Sequence, residues 1–193
     1  DGYSEEWKEE ALKRGLTNIS HVPEAIMRFN DKQSREVLIG ENIFNENELI
    51  CRIEVELEKF TKKVQIESRV LGDLAINHIV PTAVIYQNRL LENLRGLRET
   101  FSQVEYEMLG ADRRELVKEI QFRILEIKQL VREMTEARRI SNRLTSQVEK
   151  AYSYEEKVRP YMEQIREHID HLELEIDDEI WPLPKYRELL FTK

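Results

Sequence analysis

Residues 77–97 read NHIVPTAVIYQNRLLENLRGL, a run with helical spacing that contains a proline, a histidine and adjacent amides. Pro81 has no N–H to give the carbonyl of Asn77, and its ring crowds that carbonyl, so a kink is expected. The Thr82 hydroxyl is close enough in sequence to offer the freed backbone a substitute donor. Asn88 shares a stripe with Val84 and Leu91, and a buried amide in such a stripe fixes register at some loss of stability. His78 has two readings. It is a metal ligand or general base, with Glu67 on the same face, or a seam histidine satisfied by a neighbouring carboxylate or carbonyl. The second is favoured, because no further ligand lies three or four residues away on its helix.

Working outward, the stripe reaches back through Leu74, Leu71, Val64, Phe60, Leu57 and Ile53 to Ile50, and forward through Leu94 to Phe101. Steps of three and four make this a heptad seam. Asn45 and Glu48 have the spacing of a capping box at its start. Unbroken, the helix is ~55 residues, roughly 80 Å at 1.5 Å per residue. Ser68, Gly72 and Ala75 put small residues at spacings of four and three, which lets a second helix approach closely. That contact offsets the ~1 kcal/mol that a mid-helix glycine costs.

A second long helix is expected from Asp112, with a seam of Val117, Ile120, Ile124, Ile127, Val131 and Met134. The seam drifts through Ala137, Ile140, Leu144, Val148 and Ala151, a shift toward an eleven-residue repeat and a straighter helix. Pro160 marks a kink or a new start before Met162, Ile165, Ile169, Leu172 and Ile176. Upstream, Ser4 and Gly15 bound a first short helix, Pro23 opens another and Asp31 offers a further start. No strand-like alternation of useful length occurs. The fold class is all-α: an elongated antiparallel helical bundle built on a long, proline-kinked helical hairpin. Residues 1–44 read as linker-like short helices, 45–176 as the bundle, and 177–193 as a docking tail. In that tail Pro182 and Pro184 enforce an extended path, and Trp181, Leu183, Tyr186, Leu189, Leu190 and Phe191 form an apolar face. It docks on its own bundle or on another domain or subunit.

Charged residues are 35% of the chain against only six glycines and five prolines, the composition of long solvated helices. A net charge of −8 argues against nucleic acid as a partner. The basic cluster Arg138, Arg139 and Arg143 lies among acids and reads as a charged bundle face. Cys51 stands alone, which excludes an internal disulfide and fits a reducing, cytoplasmic compartment. No apolar run reaches the ~20 residues of a membrane span. His168 and His171 sit among Glu167, Asp170, Glu175, Asp177 and Asp178. A dimetal bundle site would want Glu-x-x-His motifs, and none occurs, so a solvated acidic helix end is the better reading. Phosphate loops, nucleophile elbows and cysteine–histidine pairs are missing. No catalytic, cofactor-binding or metal residue is assigned.

Two stretches, IESRVLGDLAINHIVPTAVIYQNRLLENLRGL (66–97) and IDDEIWPLPKYRELLF (176–191), resemble the C-terminal region of type III glutamine synthetase. The opening DGYSEEWKEEALKRGLTNIS is similar to the segment that leaves the catalytic core in that family. The resemblance implies a parent enzyme that joins ammonia to glutamate using ATP and magnesium or manganese, assembled as a dodecamer of two stacked hexameric rings. The family's metal, ATP and glutamate motifs belong to the catalytic core and have no match here, so the segment alone is expected to be inactive. Its partners are then its own catalytic core and neighbouring subunits. Asn77, His78, Pro81, Thr82 and Asn88 become elements of kink and register in an assembly domain. A free-standing helical scaffold is the alternative.

Overall fold

The computed structural model describes residues 4–190, and for Tyr186 and Arg187 the backbone alone. Every regular element among the described residues is helical: α1 (Glu5–Lys13), α2 (Val22–Met27), a 3₁₀ turn (Arg28–Asn30), α3 (Lys32–Gly40), α4 (Glu46–Leu74), a π turn (Ala75–Ile79), α5 (Val80–Thr100), α6 (Gln103–Leu109), α7 (Ala111–Ser141), α8 (Gln147–Ser153), a second π turn (Tyr154–Val158), α9 (Arg159–Glu175) and α10 (Tyr186–Leu189). The helix from Glu46 to Thr100 is continuous over 55 residues through its π turn.

Local chemistry sets the helix ends. Ser4 Oγ accepts from the Trp7 amide, and Gly15 closes α1 at φ +75°. There the amides of Gly15 and Leu16 donate to the carbonyls of Leu12 and Ala11, a Schellman arrangement that only a residue tolerant of the left-handed region completes easily. Asn45 and Glu48 form the expected reciprocal cap at 2.8 and 3.0 Å. Two further helices start at the same tetrapeptide, Ser-Gln-Val-Glu. At 102–105 the Ser102 hydroxyl and the Glu105 carboxylate complete a capping box, and at 146–149 the Ser146 hydroxyl accepts from the Glu149 amide.

By packing, the chain forms two units: residues 1–65 with 140–156, and residues 66–139 with 157–193. In the first, Leu49, Ile53, Leu57 and Ala151 are the buried centre, and Ile26, Met27, Leu38, Ile39, Phe44, Phe60 and Val148 pack around it. The short helices before residue 45 therefore contribute core side chains rather than a bare linker. Full burial of a leucine such as Leu57 contributes roughly 1.5–3 kcal/mol. Tyr154, wholly buried, donates its hydroxyl to Asn142 Oδ1 at 2.8 Å, and the Ser141 and Ser153 hydroxyls share a buried bond of 2.8 Å.

In the second unit the end of α4 and the length of α5 run antiparallel to α7, with Gly72 of α4 facing Met134 and Val131 while Gln87 of α5 meets Val117 and Gln121. Ile120, Ile124, Ile127, Leu130 and Met134 line the buried face of α7, and Ile165, Ile169 and Leu172 that of α9.

Three expectations need correction. The α7 seam does not drift past residue 137, because the helix ends at Ser141; a turn follows and Ser146 starts α8 afresh. The buried line of α4 and α5 keeps the heptad seam at Ile53, Leu57, Val64 and Leu94 and leaves it elsewhere. Leu49 replaces Ile50, and Val84, Leu91 and Phe101 are about 40% exposed. Buried positions run Val64, Ser68, Gly72, Ala75, Ile79, Ala83 and Gln87, mostly in steps of four. At near 100° per residue such steps drift around an α-helix, and the wider π turn takes up the drift. Lastly, α6 occupies a stretch where no helix was expected. Replacing Ser102 with Ala removes its capping box and should lower stability by about 1 kcal/mol in denaturant titration; a change below the error of the fit refutes the assignment.

Candidate functional site

The segment 68–88 is a packing seam rather than a catalytic pocket. Ser68 and Ala75 are wholly buried, and Gly72 lies against α7, where an added Cβ would meet Met134 Cε at 3.4 Å and Val131 Cγ1 at 3.5 Å. These are ordinary contact distances, so the missing side chain at Gly72 leaves the room that the ends of the Met134 and Val131 side chains fill. The π turn that follows packs on α9. Its Val80 amide donates to the Ala75 carbonyl five residues back. A wider turn at this point moves the carbonyls that the Pro81 ring would otherwise strike, so the helix runs through the proline without a break. Thr82 is buried just beyond it. The same order recurs at the second π turn, which ends at Val158 just before Pro160.

The amide in the seam is Gln87, not Asn88. Gln87 is buried, and its Nε2 donates to the Val117 carbonyl at 3.1 Å and to Gln121 Oε1 at 3.3 Å. Asn88 is exposed, as are Asn77 and His78, and Asn77 donates to Asp73 Oδ1 at 2.6 Å within its own helix. None of these three fixes packing within this chain. The difference is one residue, and one residue is about 100° of helix face.

The tail divides. Trp181 is buried, with the Lys185 ammonium 5.7 Å from its ring centre, while Leu183 is half-buried and Leu189 and Leu190 are exposed. Lys185 Nζ donates to the Glu173 carbonyl at 2.7 Å, the Ile176 carbonyl at 3.3 Å and Asp178 Oδ1 at 2.5 Å. A cation thus caps the C-terminal carbonyls of α9, where the helix dipole favours it. The Tyr186 side chain and Phe191, both assigned to the docking face, lie outside the described residues.

His168 packs against α7 rather than standing in a solvated helix end. Its ring meets Phe122 edge to face at 6.0 Å, and its Nδ1 accepts from Arg123 Nη1 at 3.3 Å. Burial, and then the Arg123 guanidinium, hold its pKa below the ordinary histidine value; Glu126 and Glu167 oppose this. Sequence reading also missed Glu155, a buried carboxylate in the second π turn, paired with His21 Nδ1 at 3.2 Å. Among the described residues no group of three His, Cys, Asp or Glu side chains is arranged to hold a metal. An apolar cavity of about 380 Å³ in the first unit is lined by Ile26, Phe29, Phe44, Leu49 and Ile53 with Arg52 and Glu56, and it contains no nucleophile–base pair.

Two measurements check this assignment. Gln87→Ala should cost about 1–3 kcal/mol in urea titration while Asn88→Ala stays within about 0.5 kcal/mol; equal effects would return the register role to Asn88. For His168, the folded pKa lies below the unfolded one, so the unfolded chain takes up the proton first as pH falls. Its stabilisation is present above about 6.5 and is lost as pH drops through the folded value. The melting temperature should fall between pH 7.5 and 5.5, and less so in His168→Gln. An identical fall in both proteins contradicts this.

With the geometry in place, the chain can be set beside known proteins. The family model described as the glutamine synthetase C-terminal domain matches residues 1–98. A glutamine synthetase of Bacteroides fragilis (strain YCH46) is 72% identical over 193 residues, covering 100% of this chain and 26% of that protein. A type-3 glutamine synthetase of Dictyostelium discoideum is 30% identical over 199 residues, with the same coverage, and a glutamine synthetase of Butyrivibrio fibrisolvens is 30% identical over 94 residues, 49% of this chain and 13% of its own. The chain thus spans 26% of the length of the first two relatives. By the family match over half its length, this all-helical chain belongs to the glutamine synthetase C-terminal domain family.

Proposed function

We propose that these residues are the non-catalytic helical domain at the C-terminal end of a type III glutamine synthetase, acting in docking to the catalytic region and in oligomer assembly. In this reading the whole protein joins ammonia to glutamate using ATP, in the cytoplasm. The type III assignment leans on the Dictyostelium relative. The carrying observation is coverage: similarity runs along all 193 residues, yet these correspond to 26% of each of the two relatives matched end to end. Among the described residues no group of three His, Cys, Asp or Glu side chains is placed to hold a divalent ion. The ion and ATP fall, in this reading, to the remainder of the polypeptide.

The docking role is supported by apolar surface. Helix α6 buries none of its residues and leaves Val104 77% and Met108 71% exposed, and Leu189 and Leu190 are exposed in the tail. Such side chains collected in water mark interaction surfaces. No described helix is long and apolar enough to cross a membrane. Deleting residues 45–193 from the full-length protein should lower its mass in analytical ultracentrifugation and abolish glutamine formation. An intact, fully active assembly would overturn the proposal.

A further inference from the structure

Where α5 turns through α6 into α7, the second unit holds a hollow of about 470 Å³. Its lining supplies Arg95, Arg98, Arg114 and Lys118, with Leu91 and Leu94 among the apolar members and no carboxylate. Along most of the chain, cations stand three or four residues from a carboxylate and pair with it, as in Lys8–Glu5, Arg28–Glu24 and Arg139–Glu136. Lys118 keeps such a partner in Glu115 at 3.1 Å, both side chains being about three-quarters exposed. Arg95 and Arg98 have no ion pair among the described residues. Arg114 is held in place: it donates to the carbonyls of Tyr106 at 3.3 Å and Glu107 at 2.8 Å, and lies 5.0 Å from the Tyr106 ring centre. Gly110 makes this close packing possible, since a Cβ there would sit 3.0 Å from the Tyr106 carbonyl and 3.2 Å from Arg114 Nη1. The hollow is therefore a preformed, apolar-floored cationic site in a chain of net charge −8.

A feature of matching chemistry lies on α9 of the same unit. Leu174 is 82% exposed, the highest value among large apolar side chains of the described residues, because Leu172 and Ile176 on either side are turned into the core. Glu173 and Glu175 flank it, and neither carboxylate has an ion pair among the described residues. Unpaired acids around a bare leucine complement unpaired guanidinium groups around a leucine floor.

We infer that the hollow receives a second copy of this chain, through Glu173, Leu174 and Glu175. Leu174 enters against Leu91 and Leu94, and the two carboxylates meet Arg95, Arg98 and Lys118. Donor and acceptor patches are different surfaces, so the contact is head to tail, of the kind that closes into rings or extends without limit. The inference rests on the assembly role proposed above, because a contact this small supplements a larger interface rather than holding two copies alone.

The test is a charge swap in the full-length protein, read by analytical ultracentrifugation over a concentration series at low salt, where surface pairs are least screened. Arg95→Glu/Arg98→Glu and Glu173→Lys/Glu175→Lys should each raise the concentration needed for assembly at least about tenfold, the loss of roughly 1.4 kcal/mol of association. All four substitutions together should restore it to within about threefold, with far-UV dichroism unchanged throughout. Wild-type assembly in both reversed proteins overturns the contact. If assembly nonetheless fails on deletion of residues 45–193, the assembly role stands and this contact alone is lost. Weakening by the arginine reversal only, with no rescue by the swap, also overturns it and assigns the hollow to an acidic stretch elsewhere.

Discussion

In the second unit the absence of a side chain at Gly72 leaves room beside α4 for the side chains of α7. Ser68 and Ala75 are wholly buried to either side of it in sequence, and Met134 and Val131 lie over the glycine. The antiparallel course of α7 carries Val117 and Gln121 to Gln87, so the amide of this buried side chain is satisfied. A buried amide without partners costs about 1–3 kcal/mol, so the seam tolerates glutamine only in the one register that supplies both acceptors. The close contact selects the neighbourhood, and the amide selects the alignment within it.

The ends of the helices answer to shorter-range chemistry. Reciprocal side-chain and backbone bonds at Asn45 and Ser102, and a serine acceptor at Ser146, begin α4, α6 and α8. A left-handed glycine ends α1, and a lysine borrowed from ten residues downstream closes α9 over its last carbonyls. The tail is thereby tied down at Trp181 and Lys185, while Leu189 and Leu190 stay exposed.

Much of this was legible in the residues. The all-helical class, the 55-residue helix with its Asn45 cap and the core of α7 from Ile120 to Met134 follow from periodicity and capping chemistry. The face of α5 was not legible, because a π turn leaves no signature in the heptad count, and Gln87 and Asn88 differ by a single position. The break after Ser141 was legible and went unread: Ser146 and Glu149 have capping-box spacing, and the same four residues open α6. Pairings such as Arg123 with His168, or His21 with Glu155, join positions far apart in sequence and depend on packing that no local pattern encodes.

Both π turns stand immediately ahead of an X-Pro step, one before Val80-Pro81 and one before Arg159-Pro160. Each is in effect a single-residue insertion that the helix has absorbed without ending. Shortening the chain by one residue inside 75–79 would leave a regular α-helix of almost the same length, yet rotate everything beyond it by about a quarter turn. Gln87 would swing out to water and a neighbour would swing in. Evolutionary loss or gain of a residue at this spot is therefore not the mild event it is in a loop; it re-addresses the whole outer half of the helix.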